Sequence, residues 1–598
     1  MGSDLFPWHE ALCTAVFTDD LSWSESLRAW KALDALHDEA ATQLLQHSSL
    51  SLDELLHLAP DSAWQQRVAR ACTQTVDDKL ECTFTSQSAQ HWRVLASLSE
   101  LQSVVLAKGC RVFSEDHLLG RALMRLPALR KLALPGVAID DLAGAGAVRL
   151  LPLLPQLESL DLTAAKVEES AVAALGEGIA ALRKLTYLNL SCSSMACSAP
   201  AMALLAPHLP QLSALRALHL DGEFVGYDMV GGTAALAPVL AALPCLETLD
   251  MGRQPLCDTG ADVLGRALTG RSSLTALSLH FDFAKGLRDE GAASLASCFK
   301  GTPSLARLWT TGFLFPSDWL QAVCSLPHLR ELAFYCGSAH ADTFAAHQTA
   351  MRSLTQLELR SDCFTQDEIA VLGPAIGRCT KVRDLRVYGC AVDERTDELW
   401  LCPHLAPIAP NLTRLALEGE NEASLLACLP TLTALQHLLL RGVAPARASG
   451  GGTWRAVGTV LATLPGLTAL SLHSSLEPGE GADVAAGLSQ LTGLRHLDLF
   501  DNGWAYYDIS AAAPALRGMA ALTELVCRAV HQRDPSSRGS AAAIAALAAH
   551  VAPLSRLREV DVSGHGVLRD SAVGKTLLRA LRRCPGVNVR FSWEPLEG

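Results

Sequence analysis

Ala572-Val573-Gly574-Lys575-Thr576 has the form of the end of a phosphate-binding loop, in which glycine-rich backbone cradles phosphates ahead of the Lys. That loop needs its first glycine at 569, where Arg569 stands, and Gly566 is too far back, so the segment reads as part of a repeat helix. His340 and His347 lie seven positions apart, close to two helical turns, and could share a face. Zinc pairs have tighter spacing, such as HExxH, with a third ligand, so these two are expected as solvated surface histidines. Gly564-His565-Gly566 reads as a turn after a strand, with no nucleophile motif beside it. No catalytic, cofactor-binding or metal-binding residue is expected, and the chain reads as a non-enzyme.

Charge and cysteine usage narrow the classes further. The net charge of -13 comes from interspersed acids and bases without a Lys/Arg run, which argues against nucleic acid as a partner. The 18 cysteines include no CxxC pair, and Cys245, Cys379 and Cys584 sit singly on apolar faces. They are expected as reduced, buried thiols of a cytoplasmic or nuclear protein. The start, MGSDLFPWHEALC, lacks a signal peptide's basic and apolar regions, and Phe6 stands where a myristoylation signal wants Ser or Thr. No segment is apolar for long enough to span a bilayer; the alanine-rich stretch from Ala541 is cut short by His550.

The elements that must position any site are written in a repeat. From Leu98 the pattern LxxLxxLxL recurs in about eighteen copies, as in LPQLESLDL (Leu154 to Leu162) and LRKLTYLNL (Leu182 to Leu190). The second leucine of the first four copies falls at 101, 129, 157 and 185, a spacing of 28. Period-two alternation in LxL specifies a short strand with one buried face. In VEESAVAALGEGIAAL, Val167, Val172, Leu175, Ile179 and Leu182 return at helical intervals, and the segment around Asp258 repeats the design. One strand and one helix cannot bury both faces alone, so neighbours must stack as an α/β solenoid, with a parallel sheet inside and helices outside. Spacing drifts in later units, and the stretches around Gly450 and Asp534-Pro535-Ser536 are expected as surface loops.

The 28-residue unit and the segment Asp258-Thr259-Gly260-Ala261-Asp262-Val263-Leu264 resemble the ribonuclease-inhibitor-like class of leucine-rich-repeat proteins. The resemblance covers about Leu98 to Phe591 and implies a curved horseshoe. It also implies a Cys or Asn cap three residues past LxL, which Cys390 and Asn502 match while Ala165 and Val137 do not. The expected organisation is a helical cap over 1–95 and a solenoid over 96–598. Within the cap, Phe6-Pro7, Glu10, Leu12, Val16-Phe17, Leu21, Ser26-Leu27-Arg28 and Trp30-Lys31 resemble a degenerate F-box, which implies docking on Skp1. A GTPase-activating relative of the repeat class would carry an acidic tail, whereas this chain ends RFSWEPLEG. Similar Ala- and Gly-rich arrays are abundant in green algae, some of them in the ciliary axoneme.

Alternation sends the leucines inward and the intervening side chains to the concave wall. In order these are Asp161, Asn189, His219, Asp250, Ser278, Trp309, Ala333, Glu358 and Arg386. The position after the motif gives His280, Thr311, Tyr335, Arg360 and Tyr388. Five successive strands, spanning roughly 20 Å at about 4.8 Å each, thus offer His280, Trp309, Tyr335, Arg360, Arg386 and Tyr388 to a protein partner. Aromatic and Arg side chains commonly dominate interface energy, and Phe281, Phe283, Phe313, Phe315 and Trp319 add a local aromatic neighbourhood.

Overall fold

In the computed structural model the described residues are 79–82, 102–106 and 123–591, less 124, 140–149, 194–198, 223–229, 282–288, 312–316, 348–349, 362–363, 390–400, 420–421, 443–452, 465, 474–480, 500–512, 529–537, 564–566, 570 and 585–586. The F-box resemblance, the capping residues Cys390 and Asn502, His565, and the loops around 450 and 535 all lie outside them. The chain divides into two compact units, 1–249 and 250–598.

In the first unit the strands are β1 (Lys79–Cys82), β2 (Ser103–Leu106), β3 (Lys131–Ala133), β4 (Ala138–Ile139), β5 (Ser159–Asp161), β6 (Lys166–Val167), β7 (Tyr187–Asn189) and β8 (Ala217–His219). β1, β2, β3, β5, β7 and β8 pair in that order, all parallel, and β4 pairs with β6. Leu132, Leu160, Leu188 and Leu218 stand side by side with at most 1% exposure, so the inward leucines form one continuous row. Each such side chain contributes about 2 kcal/mol by leaving water. The 28-residue period also appears laterally: Arg130 Nη1 donates to Glu158 Oε1 (2.8 Å) and Lys184 Nζ to Gln156 Oε1 (2.6 Å). Helix Glu169–Ala180 buries Val172, Leu175 and Ile179 as the spacing required. Val167 departs from that reading, because β6 takes it into a two-residue strand ahead of the helix.

Strand β9 (Thr248–Leu256) carries the division between units in sequence. The second unit continues with β10 (Ala276–Phe281), β11 (Arg307–Thr311), β12 (Glu331–Tyr335), β13 (Gln356–Arg360), β14 (Asp384–Tyr388), β15 (Arg414–Glu418), β16 (His437–Arg441), β17 (Ala469–His473), β18 (His496–Asp498), β19 (Glu524–Val526), β20 (Glu559–Asp561) and β21 (Asn588–Arg590). Each pairs parallel with the next. Leu277, Leu308, Leu332, Leu357, Leu385 and Leu415 open an in-register row that runs on to Val560 and Val589.

The register survives the drift in spacing because the connections absorb it. From Leu415 to Leu438 is 23 residues, crossed by the short helix Glu422–Cys428 and one 3-10 turn. From Leu525 to Val560 is 35, crossed by the long helix Arg538–Val551. Helix length varies freely since only one face of each helix must pack, whereas a strand slipped by one residue would turn its leucines to solvent.

Candidate functional site

Three outward positions per strand build the face of β10 to β14. One row runs Ser278, Trp309, Ala333, Glu358, Arg386, and another places Tyr335 beside Arg360 and Arg360 beside Tyr388. All six residues expected from the sequence therefore lie on the outward positions of five neighbouring strands. Tyr335, Arg360, Arg386 and Tyr388 come together on β12 to β14, while His280 and Trp309 sit on β10 and β11. His280 Nδ1 is 2.8 Å from Thr311 Oγ1. The Arg307 guanidinium lies over the Trp309 ring at 5.7 Å and that of Arg360 over Tyr388 at 5.6 Å, within cation–π range.

A carboxylate layer beneath these side chains was not singled out from the sequence. Glu358 and Asp384 are buried although they occupy outward positions, because the two arginines fold over them. Arg360 gives both Nε and Nη2 to Glu358 Oε1 (2.6 Å each). Arg386 gives Nε and Nη2 to Asp384 Oδ1 and Oδ2 (3.0 Å each), and its Nη1 lies 3.7 Å from Glu358 Oε2. Glu358 thus links the two guanidiniums. The hydrogen bonds that it donates to Asp384 push the Arg386 guanidinium above its already high range, and burial, with Glu358 nearby, raises the Tyr388 phenol. Both arginines are held in one geometry by these carboxylates. The signal was present in the sequence as Glu358-Leu359-Arg360 and Asp384-Leu385-Arg386, since i and i+2 share a strand face.

Several expectations need correction. Of the aromatic neighbourhood, Phe281 and Trp319 lie in the core, and Phe299 packs edge-on against Trp319 at 5.7 Å; Phe283, Phe313 and Phe315 lie outside the described residues. Tyr335 is buried between its strand neighbours. His340, expected as a solvated histidine, is 2% exposed, accepts the Gly337 N–H at Nδ1 (3.1 Å) and sits edge-on to Phe334. A helix start beneath the sheet needed a side-chain acceptor there, and the imidazole supplies it. Cys379 and Cys584 are buried as expected, but Cys245 is exposed. Burial pushes the Cys379 thiol up to about 12, which keeps it protonated and unreactive.

Asp161, Asn189 and Asp250 also differ from the simple reading of an open wall. Their side chains accept the backbone N–H two residues on, from Thr163 (2.8 Å), Ser191 (2.9 Å) and Gly252 (3.0 Å). In the first unit these Asx turns cap strand ends where the expected Cys or Asn is missing, as at Ala165. The Gly574-Lys575 segment is the first turn of helix Ala572–Ala580, where Ser571 Oγ accepts the Gly574 N–H (3.0 Å) and the backbone of 568–569 closes over the glycine. Among the described residues no three His, Cys, Asp or Glu side chains gather as metal ligands, and no helix is long and apolar enough to cross a membrane.

Repeating strand, turn and helix units, joined through an in-register parallel ladder with a polar outward face, define a leucine-rich-repeat solenoid of the α/β class. No protein-family model and no curated protein matches the chain. Among solved structures it is similar to TLR13, determined as a complex with ssRNA13, at 16% identity and TM-score 0.39, over 83% of this chain and 71% of that one. It is also similar to an internalin, InlF, from Listeria monocytogenes, at 16% identity and TM-score 0.32, over 74% of this chain and 97% of that one.

Proposed function

We propose that this chain is a non-enzymatic scaffold of the ribonuclease-inhibitor-like class that docks a protein partner on the sheet face of β10 to β14, and that it works in the cytoplasm. One observation carries the reading. Trp309, Arg360, Arg386 and Tyr388 stand outward on neighbouring strands, held in place by buried carboxylates and by stacking. Side chains already ordered lose little entropy on binding, and aromatic and Arg anchors of this kind carry most of the energy at protein interfaces. The face contains donors and stacked rings with no activated nucleophile among the residues described above, which suits binding better than bond-breaking chemistry. The ribonuclease-inhibitor-like assignment is supported by the 28-residue steps from Leu132 to Leu160 and Leu188, and by the twelve-residue helix Glu169–Ala180.

Trp309→Ala with Tyr388→Ala tests the docking reading. The doubly substituted chain should keep the wild-type melting temperature and lose capture of partners recovered by affinity purification and mass spectrometry. Unchanged capture would refute it. A second reading, a substrate receptor that recruits Skp1 through residues 1 to about 50 as part of a cap over 1–95, is favoured by the residue order from Phe6 to Lys31. Failure of the full chain to co-purify with Skp1 would remove it. Fluorescent tagging separates cytoplasm from nucleus or ciliary axoneme.

A further inference from the structure

We infer that the segment bound by this face is an acidic stretch of polypeptide, whose carboxylates dock on Arg360, Arg386 and Arg414. The inference rests on the docking reading above and adds the chemistry of the partner. Charges on β13 to β16 are stratified. The side chains of Arg360, Arg386 and Arg441 are 47%, 36% and 55% exposed, while those of Glu358, Asp384 and Glu418, which they pair with, are 9%, 12% and 26% exposed. A partner approaching the sheet meets more guanidinium than carboxylate, since each arginine is more exposed than the acid it pairs with.

The arginines also follow a line. Arg360 holds the last outward position of β13, Arg386 the middle one of β14 and Arg414 the first of β15, as the pairs Arg360↔Tyr388, Arg386↔Ala416 and Asp384↔Arg414 fix. Each step crosses one strand and two residues, or roughly 8 Å from the ordinary strand spacing and rise. Acidic residues two apart in an extended segment, about 7 Å, or a turn apart on a helix, about 5–6 Å, come within side-chain reach of that line. Because Glu358 takes Nε and Nη2 of Arg360, Nη1 is the nitrogen it does not engage, and a planar guanidinium so fixed suits a further carboxylate.

The same geometry argues against single-stranded nucleic acid. Base stacking needs bare aromatic faces, and here Arg360 covers Tyr388 and Arg307 covers Trp309.

The test selects binders from a displayed library of random peptides on the full chain and measures selected peptides, and a single-stranded oligouridine, by fluorescence anisotropy at physiological salt. Selected peptides should be enriched in Asp and Glu and weakened about ten-fold, the worth of one charge-assisted hydrogen bond, by Arg360→Lys and by Arg414→Gln. Arg386→Gln would strand the buried Asp384, so these two variants are the informative ones, each checked by thermal melting. Arg414→Glu should shift selection toward Lys and Arg. Peptides without acidic enrichment that are still lost in Trp309→Ala overturn the inference and leave the docking reading standing. Absence of binders, or binders indifferent to Trp309→Ala, overturns both, and preferential binding of the oligouridine overturns the choice of polypeptide.

Discussion

Gly265→Ala sets helix propensity against packing, and the structure decides which wins. Gly265 lies in helix Asp258–Leu268, where Ala would ordinarily gain about 1 kcal/mol over Gly. A Cβ built there falls 2.7 Å from the Ser294 carbonyl carbon, 2.8 Å from its oxygen and 3.0 Å from the Leu295 nitrogen, all backbone of the next helix, Asp289–Lys300. Ordinary contact needs about 3.5–4.0 Å, so the helices must part by close to 1 Å. They cannot part freely. Asp258 Oδ1 accepts the Gly291 N–H (3.0 Å) and Asp262 Oδ1 accepts the Ser294 hydroxyl, two charge-assisted bonds worth about 1.5–3 kcal/mol each. Overpacking of about 1–3 kcal/mol plus weakening of those bonds outweighs the propensity gain, for a net loss of about 2 kcal/mol. Gly493→Ala, where an added Cβ meets nothing within 4 Å, is the control. Denaturant unfolding together with hydrogen exchange resolved to the two helices provides the assay, since repeat arrays lose stability locally. A Gly265→Ala protein as stable as wild type, with unchanged protection in both helices, would refute the reasoning.

Ala164 and Cys192 adopt positive φ (57° and 54°) at the turn position that Gly136 fills one unit earlier, so glycine at each should stabilise by about 0.5–1 kcal/mol in chemical denaturation. Leu277→Asp places a carboxylate at a fully buried point of the leucine row and should cost about 3–5 kcal/mol; a normal melting curve would contradict the register. Burial pushes the thiols of Cys298, Cys324, Cys379 and Cys527 from 9.0 up to about 12. The unfolded chain therefore sheds these protons first as pH rises, and stability should fall progressively between pH 9 and 12, read by urea midpoints across that window. Cys192 and Cys245, both exposed, should react with iodoacetamide in the native state while those four do not, as peptide mapping would show.

The fold was legible because its signal is redundant. Leu132, Leu160 and Leu188 repeat one pattern at one interval, and the alternation within each LxL leaves a single way to bury them. The same alternation placed His280, Trp309, Tyr335, Arg360, Arg386 and Tyr388 on outward positions. It failed where a side chain's fate depends on its neighbours. Phe281 and Trp319 read in the sequence only as an aromatic neighbourhood of the face, and each fills the core. His340 looks like a surface polar residue until the helix start at Gly337 requires an acceptor beside Phe334. Asp161 and Asn189 hold wall positions, but the turn that follows each claims the side chain.

Periodicity alone determined the class of this protein, a parallel ladder of strands with leucines inward, because a period of two on a strand permits one buried face and no other. Tertiary structure decided the character of the face: how Glu358 links Arg360 to Arg386, how Arg360 comes to lie over Tyr388, and how closely one helix backbone passes the next at Gly265. Those outcomes depend on residues 23 to 35 positions apart being brought to neighbouring strands and helices, and a local pattern cannot encode distances between side chains that meet only after the coils have stacked.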